Sequence, residues 1–140
     1  MRIRPAGASD IEAMHTLRCR VTENVLSDRA LVTEASYPPF LVGDAAWVAE
    51  TGKGIAGFAV LDVARGSVWA LFVAPEAEGT GIGRALHARL LDGAARHGLT
   101  RLLLNTEPQT RAERFYTEAG WIRTGVTKNG ELAFERDIAA

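Results

Sequence analysis

Cysteine is nearly absent: Cys19 stands alone among 140 residues, which excludes an intrachain disulfide and any zinc site built on paired cysteines. His15, His87 and His97 lack metal-ligand spacing, so no metal is expected. Long hydrophobic runs are also missing. The longest apolar stretch uninterrupted by glycine, Val68 to Ala74, is far short of the ~20 residues that cross a bilayer, so no membrane partner is expected. The basic start at Arg2 and Arg4 is not followed by an apolar stretch and a small-residue cleavage site, so it does not read as a secretory signal, and a reducing, cytoplasmic setting is expected. Neither sign of charge dominates. Sixteen Lys and Arg against 17 Asp and Glu leave a formal charge of -1, with no broad positive field to grip a nucleic-acid backbone. Repeats, low-complexity tracts and long linkers are absent, and 47% hydrophobic with 24% charged residues reads as one domain over 1–140.

What is present is a regular alternation of patterned segments, with Gly and Pro falling singly between them. Arg2 to Arg4 reads as a short strand. Ser9 with Glu12 resembles a capping box opening a helix whose apolar face is Ile11, Met14, Leu17, Val21 and Val25. Pro38-Pro39 interrupts any helical period in 27–44, where Leu31, Tyr37, Phe40 and Leu41 still require burial, so a short irregular helix is expected. Ala46 to Thr51, Ile55 to Ala64 and Ser67 to Val73 read as an antiparallel meander. A helix from Ile82 to His97 buries Ile82, Leu86, Leu90 and Ala94 and stops at Gly98; a strand from Thr100 to Asn105 follows. Thr110 with Glu113 caps a helix from Arg111 to Ala119, stopped by Gly120. Trp121 to Val126 and Glu131 to Ile138 flank Asn129-Gly130, the signal of a type I′ hairpin. The order is βααβββαβαββ.

Between the third meander strand and the next helix lies Glu78-Gly79-Thr80-Gly81-Ile82-Gly83-Arg84. Glycines there let the backbone approach a ligand, while free amides, the helix dipole and the Arg84 guanidinium all favour an anion such as phosphate. A tight connection that needs glycine only for its φ angles fits the same spacing. No Lys-Ser/Thr follows the glycines as in a P-loop, and Arg84 stands where GxGxxG requires its third glycine. GxSxG, HExxH and paired-cysteine motifs are missing as well, which removes support from hydrolase and metalloprotease readings.

Leu71-Phe72-Val73-Ala74-Pro75, the glycine loop, Ala112 to Phe115-Tyr116 and Ala119-Gly120-Trp121 together resemble the GNAT superfamily of acetyl-CoA-dependent N-acetyltransferases. The diagnostic motifs span 71–121 and the element order agrees over the whole chain. The resemblance implies an α/β (α+β) three-layer fold, a mixed and mostly antiparallel central sheet with helices on both faces. It implies that Gly79, Thr80, Gly81, Ile82, Gly83 and Arg84 hold the pyrophosphate of coenzyme A. It also implies that Leu71, Phe72 and Val73 run beside the pantetheine arm, with a backbone amide near Phe72 or Val73 polarising the thioester carbonyl. Tyr116 falls at the position of the general acid that protonates the departing thiolate, although a core-packing tyrosine fits the same sequence. Gln109 stands where relatives often carry an Asn that touches the coenzyme arm.

Two residues depart from that pattern. Glu78 replaces the Gln or Arg that leads the loop, and Asn105 ends a strand where some relatives place Glu, so no general base is evident. Glu107 is the nearest carboxylate by sequence; Glu23, Asp28 and Glu34, or a water route, are the alternatives. By resemblance the acceptor pocket draws on Val25 to Val42, with Asn24, Asp28, Tyr37 and Phe40, on Asn105 and Glu107, and on aromatic surface from Trp47 and Trp69; acids among aromatics suit a cationic amine, and an ordinary packed helix has the same composition. The expected reaction is acetyl transfer to a primary amine of a small molecule by direct attack, since Cys19 is the only thiol and sits mid-helix. A protein or peptide amine, and a noncatalytic acyl-CoA sensor, are the competing readings. A homodimer through a sheet edge or the C-terminal hairpin is compatible with the family.

Overall fold

The computed structural model describes residues 1–21 and 32–138; Glu23, Asn24, Val25, Asp28 and Leu31 lie outside the described residues. Seven strands form one sheet: β1 (Arg2–Pro5), β2 (Ala46–Thr51), β3 (Gly54–Asp62), β4 (Ser67–Val73), β5 (Arg101–Thr106), β6 (Ile122–Val126) and β7 (Leu132–Asp137). Their order is β1-β2-β3-β4-β5-β7-β6, and every neighbouring pair is antiparallel except β4 and β5. Among the described residues the α-helices are α1 (Ile11–Val21), α2 (Ile82–Arg96) and α3 (Arg111–Glu118), and 3-10 turns stand at Glu34–Ser36 and Pro38–Phe40.

Period-two alternation along β3 explains the three layers. Phe58 and Val60 join Met14, Leu17, Tyr37 and Val48 on the α1 side, while Ala59 and Leu61 join Trp47, Leu86, Leu90, Leu102 and Phe134 on the other. Each such large apolar side chain contributes roughly 1.5–3 kcal/mol by leaving water. Ile82, Leu86, Leu90 and Ala94 of α2 are all buried, as their spacing predicts. Gly98 at φ 78° ends α2 with Leu99 N–H donating to the Ala94 carbonyl (2.9 Å) and Gly98 N–H to Ala95 (3.0 Å), a Schellman stop.

Several expectations require correction. In place of a Ser9–Glu12 pair, the Asp10 carboxylate accepts from Gly7 N–H at 2.8 Å and caps a 3-10 turn at Ala8–Asp10 that leads into α1. Arg4 holds the same carboxyl below its usual range. Val21, expected on the apolar face, is 40% exposed. The last hairpin is not type I′, since that turn needs positive φ at both central residues and Asn129 has none. Instead Gly130, at φ 84°, donates to Thr127, and Thr127 pairs with Glu131, giving a three-residue loop with a glycine bulge.

Candidate active site

The parallel neighbours β4 and β5 pair in register only at Ser67 and Leu103, so they separate towards their C-terminal ends. A bulge assists this divergence: Val60 opposes Ala70 and Leu61 opposes Val68, leaving Trp69 as the extra residue of β4. Open ends of neighbouring parallel strands are where α/β sheets leave room for ligands. At that end Ala74 N–H donates to the Ala56 carbonyl on β3 (2.8 Å). Backbone donors alternate sides along a strand, so Phe72 also faces β3, and Leu71 and Val73 direct their N–H and C=O groups into the gap. Of the two amides considered from sequence, that of Val73 faces the crevice and that of Phe72 does not.

A 3-10 turn at Pro75–Ala77 separates β4 from the glycine loop. Gly79 and Gly81 adopt φ 78° and 89°, left-handed conformations that glycine takes without strain. Gly81 is the N-cap of α2 and no side chain caps it; the first helical bond runs from Ala85 N–H to the Gly81 carbonyl at 3.0 Å. The amides of Ile82, Gly83 and Arg84 therefore sit at the positive end of α2 without intrahelical partners. Thr80 donates its hydroxyl to the Ala77 carbonyl, which tightens the loop, and the Arg84 side chain is exposed. Glu78 forms an ion pair with Arg111, its Oε2 lying 3.3 Å from Nε.

α3 packs beside the start of α2, with the Phe115 ring 5.5 Å from that of His87. Thr110 caps α3 by accepting from Glu113 N–H (3.2 Å), while the Glu113 carboxylate accepts from Gln109 N–H (2.9 Å). Gln109 has φ 60°, one of two non-glycine residues in the left-handed region among the described residues, a strain typical of functional positions. Tyr116 is 6% exposed, wedged edge-on against Trp121 at 5.4 Å and beside Phe115 and Phe134. Gly120 ends α3 with Trp121 N–H bonded to the Tyr116 carbonyl, so the helix stop that turns the chain also sets Trp121 on the Tyr116 ring. Trp121 is thus core, and its indole N–H donates to His87 Nε2 at 2.9 Å. Burial pushes the His87 pKa down to about 4, with Arg136 adding to the effect, so the imidazole is neutral and its proton sits on Nδ1. The same cause raises the Tyr116 phenol well above its usual value, and among the described residues no group hydrogen-bonds its hydroxyl.

The α1 side of the crevice differs from expectation. Tyr37 is 1% exposed and its hydroxyl meets His15 Nδ1 at 3.1 Å, making it a packing residue rather than a wall of the acceptor pocket. Trp47 is buried against Gly93 of α2, because its side chain faces the other layer. Trp69, thrown to the α1 side by the bulge, stacks on Phe40 at 4.5 Å. The guanidinium of Arg18, a residue 6% exposed, lies 4.7 Å from the Trp69 ring centre and 5.0 Å from that of Phe72. The ring faces a cationic acceptor would use are thereby engaged by Arg18. Asn105 and Glu107 are exposed, the former at the open end of β5. Sequence reasoning missed Arg18 and Arg111, since pairings across 51 or more residues (Arg18 to Trp69) or 33 (Glu78 to Arg111) leave no periodic signal.

The model of the acetyltransferase (GNAT) family matches residues 11–121. Among curated protein sequences no match to the chain is found. Solved structures of the same fold include Ard1 from Thermoplasma volcanium (TM-score 0.82, 18% identity, covering 99% of this chain and 98% of that one). A ribosomal-protein-alanine N-acetyltransferase from Brucella melitensis is similar (0.80, 24% identity, 98% and 99%). The N-acetylglutamate synthase of Neisseria gonorrhoeae, complexed with coenzyme A and N-acetyl-glutamate, matches at 0.81 and 19% identity over 99% of this chain and 35% of that longer one.

Proposed function

The chain belongs to the acetyltransferase (GNAT) family, and from that premise we propose that it transfers the acetyl group of acetyl-CoA to a primary amine of a small molecule by direct attack in a ternary complex. One observation carries the reading: the unpaired edge of β4 leads into an uncapped, glycine-rich helix start. An extended amide-bearing arm ending in a diphosphate is complementary to that sequence of groups, with the arm taking the strand's free N–H and C=O groups and the diphosphate the helix amides. Coenzyme A in a structure of the same fold supports the same cosubstrate.

The neutral amine attacks the thioester carbonyl carbon, and the developing oxyanion accepts from the Val73 amide. The C–S bond then breaks, the thiolate takes the Tyr116 phenolic proton, and the proton lost by the new amide nitrogen passes through water to restore the phenol. A phenol raised by burial stays protonated at neutral pH, and the same rise makes it a weaker acid. The same dry surroundings raise the basicity of the thiolate above its value in water, narrowing the mismatch between the two. Neither β4 nor β5 carries a carboxylate, so the ammonium proton leaves through solvent, with Asn105 positioned to orient water or the acceptor.

The second reading is a protein or peptide amine, as acted on by the alanine N-acetyltransferase of similar fold. Thiol release from acetyl-CoA, followed with a panel of small primary amines and an alanine-terminated peptide, separates the two. Saturable release with a small amine is the expected result. Release with the peptide alone assigns the second reading, and stabilisation by acetyl-CoA without release in any mixture assigns a sensor.

A further inference from the structure

The loop's departure at Glu78 and an ion pair unannounced by the sequence meet at one place. Glu78 puts a negative charge where the resembling proteins carry Gln or Arg, at the entrance to a loop suited to anions. In the fold its carboxylate faces Arg111, the first residue of α3, at 3.3 Å. The helix crosses the loop closely: a Cβ placed on Gly83 would lie 3.8 Å from the ring of Phe115, which sits one turn beyond Arg111 on the same helix face. The Arg111 side chain is 64% exposed, and no hydrogen bond of its guanidinium to a described residue accompanies the ion pair. A planar fork of five N–H donors therefore stands beside amides already aimed at an anion.

We propose that Arg111 supplies the cation that position 78 lacks, turning from Glu78 to the coenzyme's diphosphate on binding. Glu78 holds the guanidinium at the loop beforehand and opposes the diphosphate by its own charge. The exchange runs downhill because an exposed carboxylate pair contributes little, whereas an Arg–phosphate contact is among the stronger charge-assisted bonds. This inference rests on the acetyl-CoA reading above and adds a coenzyme-binding residue from a helix outside the loop.

Calorimetric titration of coenzyme A into the wild type, Arg111→Gln, Arg111→Lys and Glu78→Gln, at low and at high salt, tests it. Arg111→Gln is expected to bind about tenfold more weakly at low salt, with the gap closing at high salt as screening removes the charge–charge contribution. Arg111→Lys should retain most of the affinity, and Glu78→Gln should bind more tightly than wild type. Unliganded thermal midpoints check that each variant is folded. An Arg111→Gln affinity equal to wild type, or a loss of the same size at every salt concentration, overturns the proposal while leaving the coenzyme reading standing. A folded wild type with no coenzyme A binding overturns both.

Discussion

Tyr116 has a ring held by packing and a hydroxyl with no partner among the described residues, so structure and chemistry separate at this side chain. Tyr116→Phe keeps the packing and removes only the proton. Steady-state kinetics should show kcat reduced by about 10²-fold with KM for acetyl-CoA little changed, and thermal unfolding should be near wild type. Equal loss in KM and stability would make Tyr116 a core residue alone. Gln109 makes a different point. Its backbone is left-handed at φ 60°, a conformation that costs most side chains about 1–2 kcal/mol and that Asn adopts more readily. Gln109→Asn should raise stability in denaturant titration by about 0.5 kcal/mol, part of that penalty, without weakening coenzyme binding.

Helices and strands were legible wherever one face is buried against one layer. The spacing of Ile82, Leu86, Leu90 and Ala94 specifies α2, and the Gly98 and Gly120 stops appear where the apolar pattern ends. What escaped was chemistry that depends on a third element. Asn129-Gly130 suggests a two-residue turn, yet Thr127 pairing with Glu131 sets a three-residue loop. Trp47 and Trp69 read alike as aromatic strand residues, but Trp47 follows the β2 alternation into the α2 layer while the bulge in β4 sends Trp69 to the α1 side. Gly93 shows how tight that packing is. In most helices Gly→Ala gains about 1 kcal/mol, but here the added Cβ would lie 2.6 Å from the Trp47 ring. Gly93→Ala should therefore destabilise the fold by about 1–3 kcal/mol, read from urea midpoints.

The two apolar layers share one sheet, and β4 and β5 separate without breaking either core. The glycine loop itself was legible because its glycines stand where a strand pattern gives way to a helix pattern; the Arg111 contact and the Arg18 stack were not, since they exist only once the layers are assembled. Stability of the whole should carry the mark of His87, buried and neutral beside Trp121 and lowered to about 4. In the unfolded chain the imidazole takes a proton near pH 6.5 and in the fold it does not. Its contribution is thus complete above about pH 6.5 and declines as pH falls towards 4, by about 3 kcal/mol at most. Urea titrations between pH 7 and 4.5 should show that decline, and His87→Gln should flatten it. The proposed activity requires the free edge of β4 and the start of α2 to be the coenzyme site. Following backbone amides by NMR while coenzyme A is added tests this most directly. The largest shifts should fall on Leu71, Val73 and residues 79–84; shifts confined to other parts of the sheet, with those amides unmoved, would contradict it.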